Sequence, residues 1–162
     1  MKTADYSSRT GFTLTELMFA VALFGLVVSG TLGVYIMCRQ MWHATSLSMQ
    51  AHREGGLAVS RLIYGMGSNN GLRAVSTITS NANSWTFSTP RDGSKTIQYN
   101  QQASNIYWID NVNQSSRICA HVSSFSISKS NASGIYIQLV VQQTEGRFIA
   151  TITNRSFVVQ RN

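Results

Sequence analysis

The stretch that decides the fold is 11–38, which begins Gly11-Phe12-Thr13-Leu14-Thr15-Glu16 and continues as LMFAVALFGLVVSGTLGVYIMC. No charged residue occurs from Leu17 to Cys38. This run exceeds the roughly 20 apolar residues that a helix needs to cross a bilayer core of about 30 Å, so we predict a membrane-spanning helix. A removable secretory signal would have a shorter apolar region followed by small residues, which Tyr35 to Arg39 do not supply.

The helical pattern continues beyond this run, but it becomes amphipathic. Apolar residues recur at helical spacing, and charged residues fall between them. We therefore predict one helix from Phe12 to about Tyr64, ended by the glycine-rich turn Gly65 to Gly71. The residues that form its predicted packing face are Leu47, Ala51, Ala58 and Leu62.

Interior glycines mark special places in this helix. Gly25, Gly30 and Gly33 lie in its first half and the Gly55-Gly56 pair lies in its second. Each costs about 1 kcal/mol relative to alanine in a helix interior, so we expect the helix to bend or to pack closely there.

The remainder of the chain is predicted to be β-rich. Runs rich in Val, Ile, Thr and aromatic residues alternate with Ser, Asn and Gly clusters, as is typical of short antiparallel strands. Alternating apolar positions indicate a sheet with one covered face, and the natural cover is the amphipathic half of the helix. Hairpin turns are predicted at 91–94 and 144–146. The predicted strands are Trp85 to Thr89, Thr96 to Asn100, Ile106 to Ile109, Val122 to Ser128, Ile135 to Gln142 and Phe148 to Val159.

The chain is basic, with 13 Lys and Arg against 6 Asp and Glu and a formal net charge of +7. Dispersed positive charge suits solubility, an anionic membrane surface or a polyanionic partner, and it does not choose among them. Lys2 and Arg9 precede the apolar run, so the positive-inside tendency leaves the N-terminus in the cytoplasm and sends the head across the membrane, although Arg39 opposes this. The remote cysteines Cys38 and Cys119 favour two unpaired thiols over a disulfide.

The motif Gly11-Phe12-Thr13-Leu14-Thr15-Glu16, followed at once by a charge-free helix, closely resembles the class III signal of type IV prepilins and pseudopilins. The later pattern of long helix, loop and sheet, with a final Arg161-Asn162, is similar to that of minor pilins and J-like minor pseudopilins. The resemblance implies an α+β, type IV pilin fold. It also implies a removable leader over 1–11, a transmembrane and assembly helix over 12–38, an amphipathic continuation over 39–66 and a β-rich head over 67–162.

The resemblance implies a processing site as well. A membrane aspartyl prepilin peptidase would cut between Gly11 and Phe12, and Phe12 would become the N-methylated first residue. The chain would then be a structural subunit of a type IV pilus or of a type II secretion pseudopilus. It would be a single-pass protein of the inner membrane with a periplasmic or extracellular head. Its expected partners are the prepilin peptidase, other pilins or pseudopilins, the inner-membrane assembly platform and membrane lipid.

Glu16 is the one charge within the apolar part, and a carboxylate in hydrocarbon costs a few kcal/mol, or less near an interface. It needs a partner. By resemblance, that partner is the N-terminal amine of an adjacent subunit, so Glu16 is the predicted assembly residue. Glu16→Ala is expected to leave processing intact and to block incorporation into filaments.

Other functions have weaker support in the residues. The region 68–162 holds three acids and one histidine, and the chain has no metal-ligand spacing, so we predict neither an enzyme nor a cofactor or metal site, with the histidines at the surface. A DNA-uptake pilin is the main alternative, in which a basic, aromatic head surface binds DNA. A signal-anchored domain unrelated to filaments is the other. The residues of the candidate DNA surface are Arg117, Lys129, Arg147, Arg155, Arg161, Trp85, Tyr107 and Trp108.

Overall fold

The computed structural model describes residues 11–66, 70–110, 112, 114–130 and 134–159. Residues 1–10 of the predicted leader, part of the predicted helix-ending turn (67–69) and the final Arg161-Asn162 lie outside the described residues. The α+β fold class is confirmed: one long N-terminal helix packs on antiparallel sheets, a type IV pilin-like fold. The elements are helix α1 (Leu14–Tyr64), a 3-10 helix (Leu72–Ala74), and strands β1 (Thr77–Asn81), β2 (Ser84–Thr89), β3 (Gly93–Asn100), β4 (Asn105–Ile109), β5 (Ser115–Cys119), β6 (Val122–Ser130), β7 (Gly134–Glu145) and β8 (Phe148–Val159).

Helix α1 is continuous over 51 residues and ends where the glycine signal predicts. It begins at Leu14, two residues later than expected, because Thr13 stands at the N-cap position and bonds the first turn. At the other end Gly65 adopts a left-handed φ of 95°, and its N–H donates to the Arg61 carbonyl oxygen at 2.8 Å. A residue without a Cβ adopts this helix-ending conformation at least cost.

The chain divides into two compact units, and the division falls inside α1, between Trp42 and His43. In the first unit every described residue is exposed. In the second unit, α1 buries one face at steps of three and four residues. Four of its five buried residues are the predicted packing positions, and the fifth is a glycine; they are Leu47, Ala51, Gly55, Ala58 and Leu62.

The strands form two antiparallel meanders instead of the single sheet that the sequence suggested. Strands β1 to β5 make a five-stranded sheet in sequential order, and β6 to β8 make a three-stranded sheet. The chain changes sheet near His121, a non-glycine residue with a left-handed φ of 57°. There the Val122 N–H, at the start of β6, donates to the carbonyl oxygen of Ser104, the residue before β4, at 2.8 Å.

Six of the eight strands match the predicted ones, and both predicted hairpin turns are present, with Gly93 and Gly146 at positive φ. The two strands missing from the prediction are β1 and β5. β1 buries no side chain, and β5 buries only Ile118 and Cys119 at its end. Neither strand therefore has the alternation from which a half-buried strand is recognised.

The two sheets and the second part of α1 share one hydrophobic core. Trp85 of β2 packs edge-on against Phe125 of β6, with ring centroids 4.9 Å apart, and its indole N–H donates to the Ile127 carbonyl oxygen at 3.1 Å. The Tyr99 hydroxyl donates to the Val122 carbonyl oxygen at 3.1 Å. Aromatic side chains of the first sheet thus bind the edge of the second.

Candidate processing and assembly site

The predicted cleavage position lies in non-helical chain immediately before α1. Gly11 and Phe12 are both exposed, and a Cβ built on Gly11 would meet nothing within 4 Å. Phe12 is 87% exposed. Both residues that flank the predicted scissile bond are therefore accessible in the described part of the chain.

Glu16 closes a capping box with Thr13. Glu16 Oε2 accepts hydrogen bonds from the Thr13 N–H at 3.0 Å and from the Thr13 hydroxyl at 2.9 Å. In return the Glu16 N–H lies 3.4 Å from Thr13 Oγ1, which accepts from it. Two backbone N–H groups that a helix start leaves unpaired are thereby satisfied.

Sequence reasoning missed Thr13 as part of the site. The Thr-x-x-Glu spacing of the capping box was the available signal. Sequence reasoning assigned Glu16 a partner in another subunit, whereas the structure gives its carboxylate a partner within the same helix start. Among the described residues Glu16 Oε1 accepts no hydrogen bond, so one carboxylate oxygen remains open to a further donor.

Behind this start, α1 presents apolar side chains on every face. The helix is long and apolar enough to cross a membrane, and its most apolar stretch contains no buried residue. A Cβ placed on Gly25, Gly30 or Gly33 would meet nothing within 4 Å. A helix that is hydrophobic all round is stable only in lipid or against other chains.

The predicted DNA surface is wrong for two of its three aromatic residues. Trp85 and Trp108 are buried in the core, because their indole rings fill the space between strands and sheets. Neither ring can stack on a base. Tyr107 is partly exposed, and Arg161 lies outside the described residues. The other four cations of the predicted surface are exposed, and DNA binding by them stays a prediction; they are Arg117, Lys129, Arg147 and Arg155.

No group of three or more His, Cys, Asp or Glu residues that could hold a metal occurs in the part of the chain that the structure describes. His52 and His121 are exposed and His43 is partly so, as predicted. Lys95 is buried between Asp92 and Asp110, with its Nζ 3.8 and 3.7 Å from one oxygen of each. This ion-pair cluster lies where β3 begins and β4 ends.

The two cysteines differ in environment, and both thiols are free. Cys38 is exposed on α1. Burial, followed by the negative charge of Glu54, raises the pKa of the Cys119 thiol to about 11. A thiol that stays protonated at neutral pH is a poor nucleophile and a poor metal ligand.

Comparison with known families matches residues 6–32 to the prokaryotic N-terminal methylation motif. The matched segment contains the Gly11–Phe12 bond, the capping box of Thr13 and Glu16, and the first part of α1. It supports a pilin-like family through the processing signal. No curated protein and no solved structure matches the chain.

Proposed function

We propose that this protein is a minor structural subunit of a type IV pilus or of a type II secretion pseudopilus. The observation that carries the proposal is the match of residues 6–32 to the N-terminal methylation motif, directly ahead of a helix whose apolar side chains are exposed on all faces. A soluble domain would leave that surface in water, which is unfavourable by about 25 cal/mol for each Å². Lipid before assembly and neighbouring helices after it would cover the surface.

Processing is the first step of the proposal. A prepilin peptidase cuts between Gly11 and Phe12 on the cytoplasmic side of the inner membrane, and the new amine of Phe12 is methylated. The chain is the substrate of this reaction. The head stays on the far side of the membrane, and the assembly platform and other pilins or pseudopilins are its partners.

Glu16 is the proposed assembly residue, and the capping box suggests how a carboxylate is tolerated before assembly. Hydrogen bonds from Thr13 reduce the desolvation penalty of Glu16 in the isolated subunit. On assembly the carboxylate binds the Phe12 amine of a neighbour, and a charge-assisted bond in a low-dielectric medium is stronger than the cap that it supplements. The open Oε1 is the acceptor for that amine.

Three variants separate the roles of charge and cap. Glu16→Gln keeps a side-chain oxygen for Thr13 but removes the negative charge, Glu16→Ala removes both, and Thr13→Val removes the hydroxyl and keeps the carboxylate. We expect all three to be processed. Both Glu16 variants should be lost from sheared filaments or from cross-linked pseudopili, whereas Thr13→Val should assemble within a few-fold of the natural chain, since a cap is worth only about 1 kcal/mol.

The readouts are the N-terminal residue of the membrane-bound protein and its amount in the assembled fraction. Normal assembly of Glu16→Gln would show that no charge pair is needed. Equal loss of Thr13→Val and Glu16→Gln would make the cap, and not the intersubunit pair, the essential feature.

A further inference from the structure

The two edge strands of the three-stranded sheet, β6 and β8, differ in the hydrogen bonds made on their outer sides. Along β6, the edge is closed by other parts of the head: the Val122 N–H donates to Ser104, and the carbonyl oxygens of Val122 and Ile127 accept from Tyr99 and Trp85. The opposite edge is β8, which pairs with β7 alone among the described strands. The 3-10 helix Leu72–Ala74 approaches β8, but no backbone hydrogen bond joins the two in the described part of the chain. An unpaired edge presents a row of N–H and C=O groups that can pair with another chain.

The register identifies which β8 groups are unpaired. The Gln142 N–H donates to His121, on the β6 side of β7, at 2.8 Å. Gln142 pairs with Thr151, so the backbone groups of Thr151 point away from β7. The β7–β8 register has no bulge, so the same holds for every second residue from Ile149 to Val159. Among the described residues, no hydrogen bond reaches this open side of β8.

The strand also lacks the features that usually protect an edge. Between Phe148 and Val159 it has no proline and no bulge, and Arg155 is its one charge. Two apolar side chains that flank the open backbone groups, Ile149 and Phe157, are 63% and 46% exposed. A long edge of this kind pairs readily with an added strand.

The side chains beside this edge define what the added strand should carry. Arg155 is the only charged residue on the outer face of the described part of this sheet, and that face has no carboxylate. Next to it, a shallow hollow of about 330 Å³ is lined by Tyr136 and Phe157, whose rings lie 4.6 Å apart, and by Ser126 and Gln138. Exposed aromatic rings beside an arginine are typical of the centre of a protein interface.

A second copy of β8 fits this edge poorly. His43 stacks on Phe148 and Gly55 lies against Asn154, so the second part of α1 runs in the same direction as β8. An antiparallel pair of two β8 strands would make the two helices run in opposite directions, unlike the shared direction of neighbouring subunits in the proposed assembly. Two copies would also each bring a formal charge of +7.

We propose that the open edge of β8 binds an extended segment of a different protein, which adds a fourth strand to the sheet. The segment places a carboxylate side chain beside Arg155 and apolar side chains beside Ile149 and Phe157. Main-chain hydrogen bonds supply affinity, and the acidic and apolar side chains supply specificity. This binding role goes beyond filament assembly, and only the argument against a second copy rests on the proposed function.

The first test measures the edge itself. Residue-resolved hydrogen exchange on the full chain in detergent should show fast exchange at Thr151, Thr153 and Arg155 and slow exchange at Ile152 and Asn154. Protection of both sets in the free protein would mean that the edge is already covered, and would overturn the proposal. Concentration-dependent dimerisation that protects the first set would assign the edge to a second copy instead.

The second test uses a fluorescent probe peptide, Val-Thr-Glu-Thr-Thr-Val-Thr-Thr-Val, and a matched probe with Lys in place of Glu. The first probe should bind the full chain saturably and protect the Thr153 amide. Thr153→Pro removes one outward N–H and leaves the β7 ladder intact, so binding should fall by about tenfold or more, whereas Thr153→Ala should bind normally. Circular dichroism confirms that both variants are folded.

The third test reverses the charge at position 155 and leaves the backbone unchanged. Arg155→Glu should weaken the Glu probe several-fold and strengthen the Lys probe by a similar factor. No saturable binding of either probe, equal binding to Thr153→Pro and Thr153→Ala, or a probe preference that is unchanged by Arg155→Glu would each contradict the proposal.

Discussion

The two parts of α1 share one backbone structure but have opposite surroundings. Before His43, every described residue is exposed, and a Cβ at Gly25, Gly30 or Gly33 would meet nothing. After His43, one face is buried against the sheets, and a Cβ at Gly55 would clash with the Asn154 amide and touch Val141. The hydrogen-bonded helix is the same in both parts, so what differs is the partner. The second part finds its partner within the chain, and the first has to find lipid or other subunits.

The largest effect is expected from a matched pair of leucine-to-alanine substitutions in the second part of α1. Leu62 is fully buried and Leu57, just over one turn earlier, is 48% exposed. Leu62→Ala should lower the free energy of unfolding of the second unit, which includes the β-rich head, by about 2–5 kcal/mol, because it removes buried contacts and leaves a cavity. Leu57→Ala should change it by less than about 0.5 kcal/mol. Urea unfolding followed by tryptophan fluorescence measures both, and similar losses would mean that the packing face is assigned wrongly.

The Gly55-Gly56 pair gives an internal control of the close packing. Gly55→Ala forces the Asn154 side chain to move and should destabilise the head by about 1–3 kcal/mol, less the helix-propensity gain. Gly56→Ala meets nothing and should stabilise the head by about 1 kcal/mol. If both variants are stabilised in thermal unfolding, α1 does not approach Asn154 as closely as described.

The buried Cys119 and the exposed Cys38 should differ in how they affect the pH dependence of folding stability. The Cys119 thiol has a pKa of about 11 when folded, above its ordinary value of 9.0. Between these values the unfolded chain releases the proton and the folded chain keeps it, so stability should fall as pH rises from about 9 to 11, by at most about 1.4 kcal/mol for each pH unit.

Cys119→Ala should reduce that slope, and Cys38→Ser should leave it unchanged. Some slope should remain in Cys119→Ala because burial also raises the pKa of Tyr99. Paired measurements of unfolding free energy at pH 8 and pH 10.5 give the two slopes. An equal pH dependence in the natural chain and in Cys119→Ala would show that the thiol is not buried.

The smallest effect is expected in the first part of α1. Gly33→Ala should raise helix stability by about 1 kcal/mol or less and leave unfolding of the head unchanged, since Gly33 has no neighbour in the chain. Thermal circular dichroism in detergent, with Gly56→Ala as the reference, measures this. A loss of head stability would reveal a contact that the structure lacks.

Periodicity was sufficient to predict α1, its packing face and most of the strands. Leu47, Ala51, Ala58 and Leu62 recur at helical spacing, and the alternation in β6 and β7 marks their buried face. The division into two sheets was not predictable, because it depends on the single turn at His121 and on long-range bonds from Trp85 and Tyr99.

The candidate site was predictable in part. Gly11, Phe12 and Glu16 were identified from their residue types and their order in the sequence. The capping box with Thr13 could have been identified as well, from the Thr-x-x-Glu spacing. The burial of Trp85 and Trp108 was not predictable, since an aromatic residue in a strand suits a core and an exposed surface equally well. The open edge of β8 depends on strand order, which a local pattern does not specify.

The most direct test of the central claim is the intact mass and N-terminal residue of the protein recovered from its native membrane. We predict a mature chain that begins at Phe12 and is heavier by one methyl group than the unmodified sequence from that residue. A chain that retains Met1 to Gly11 would contradict the pilin-like assignment and leave a membrane-anchored domain whose head acts alone.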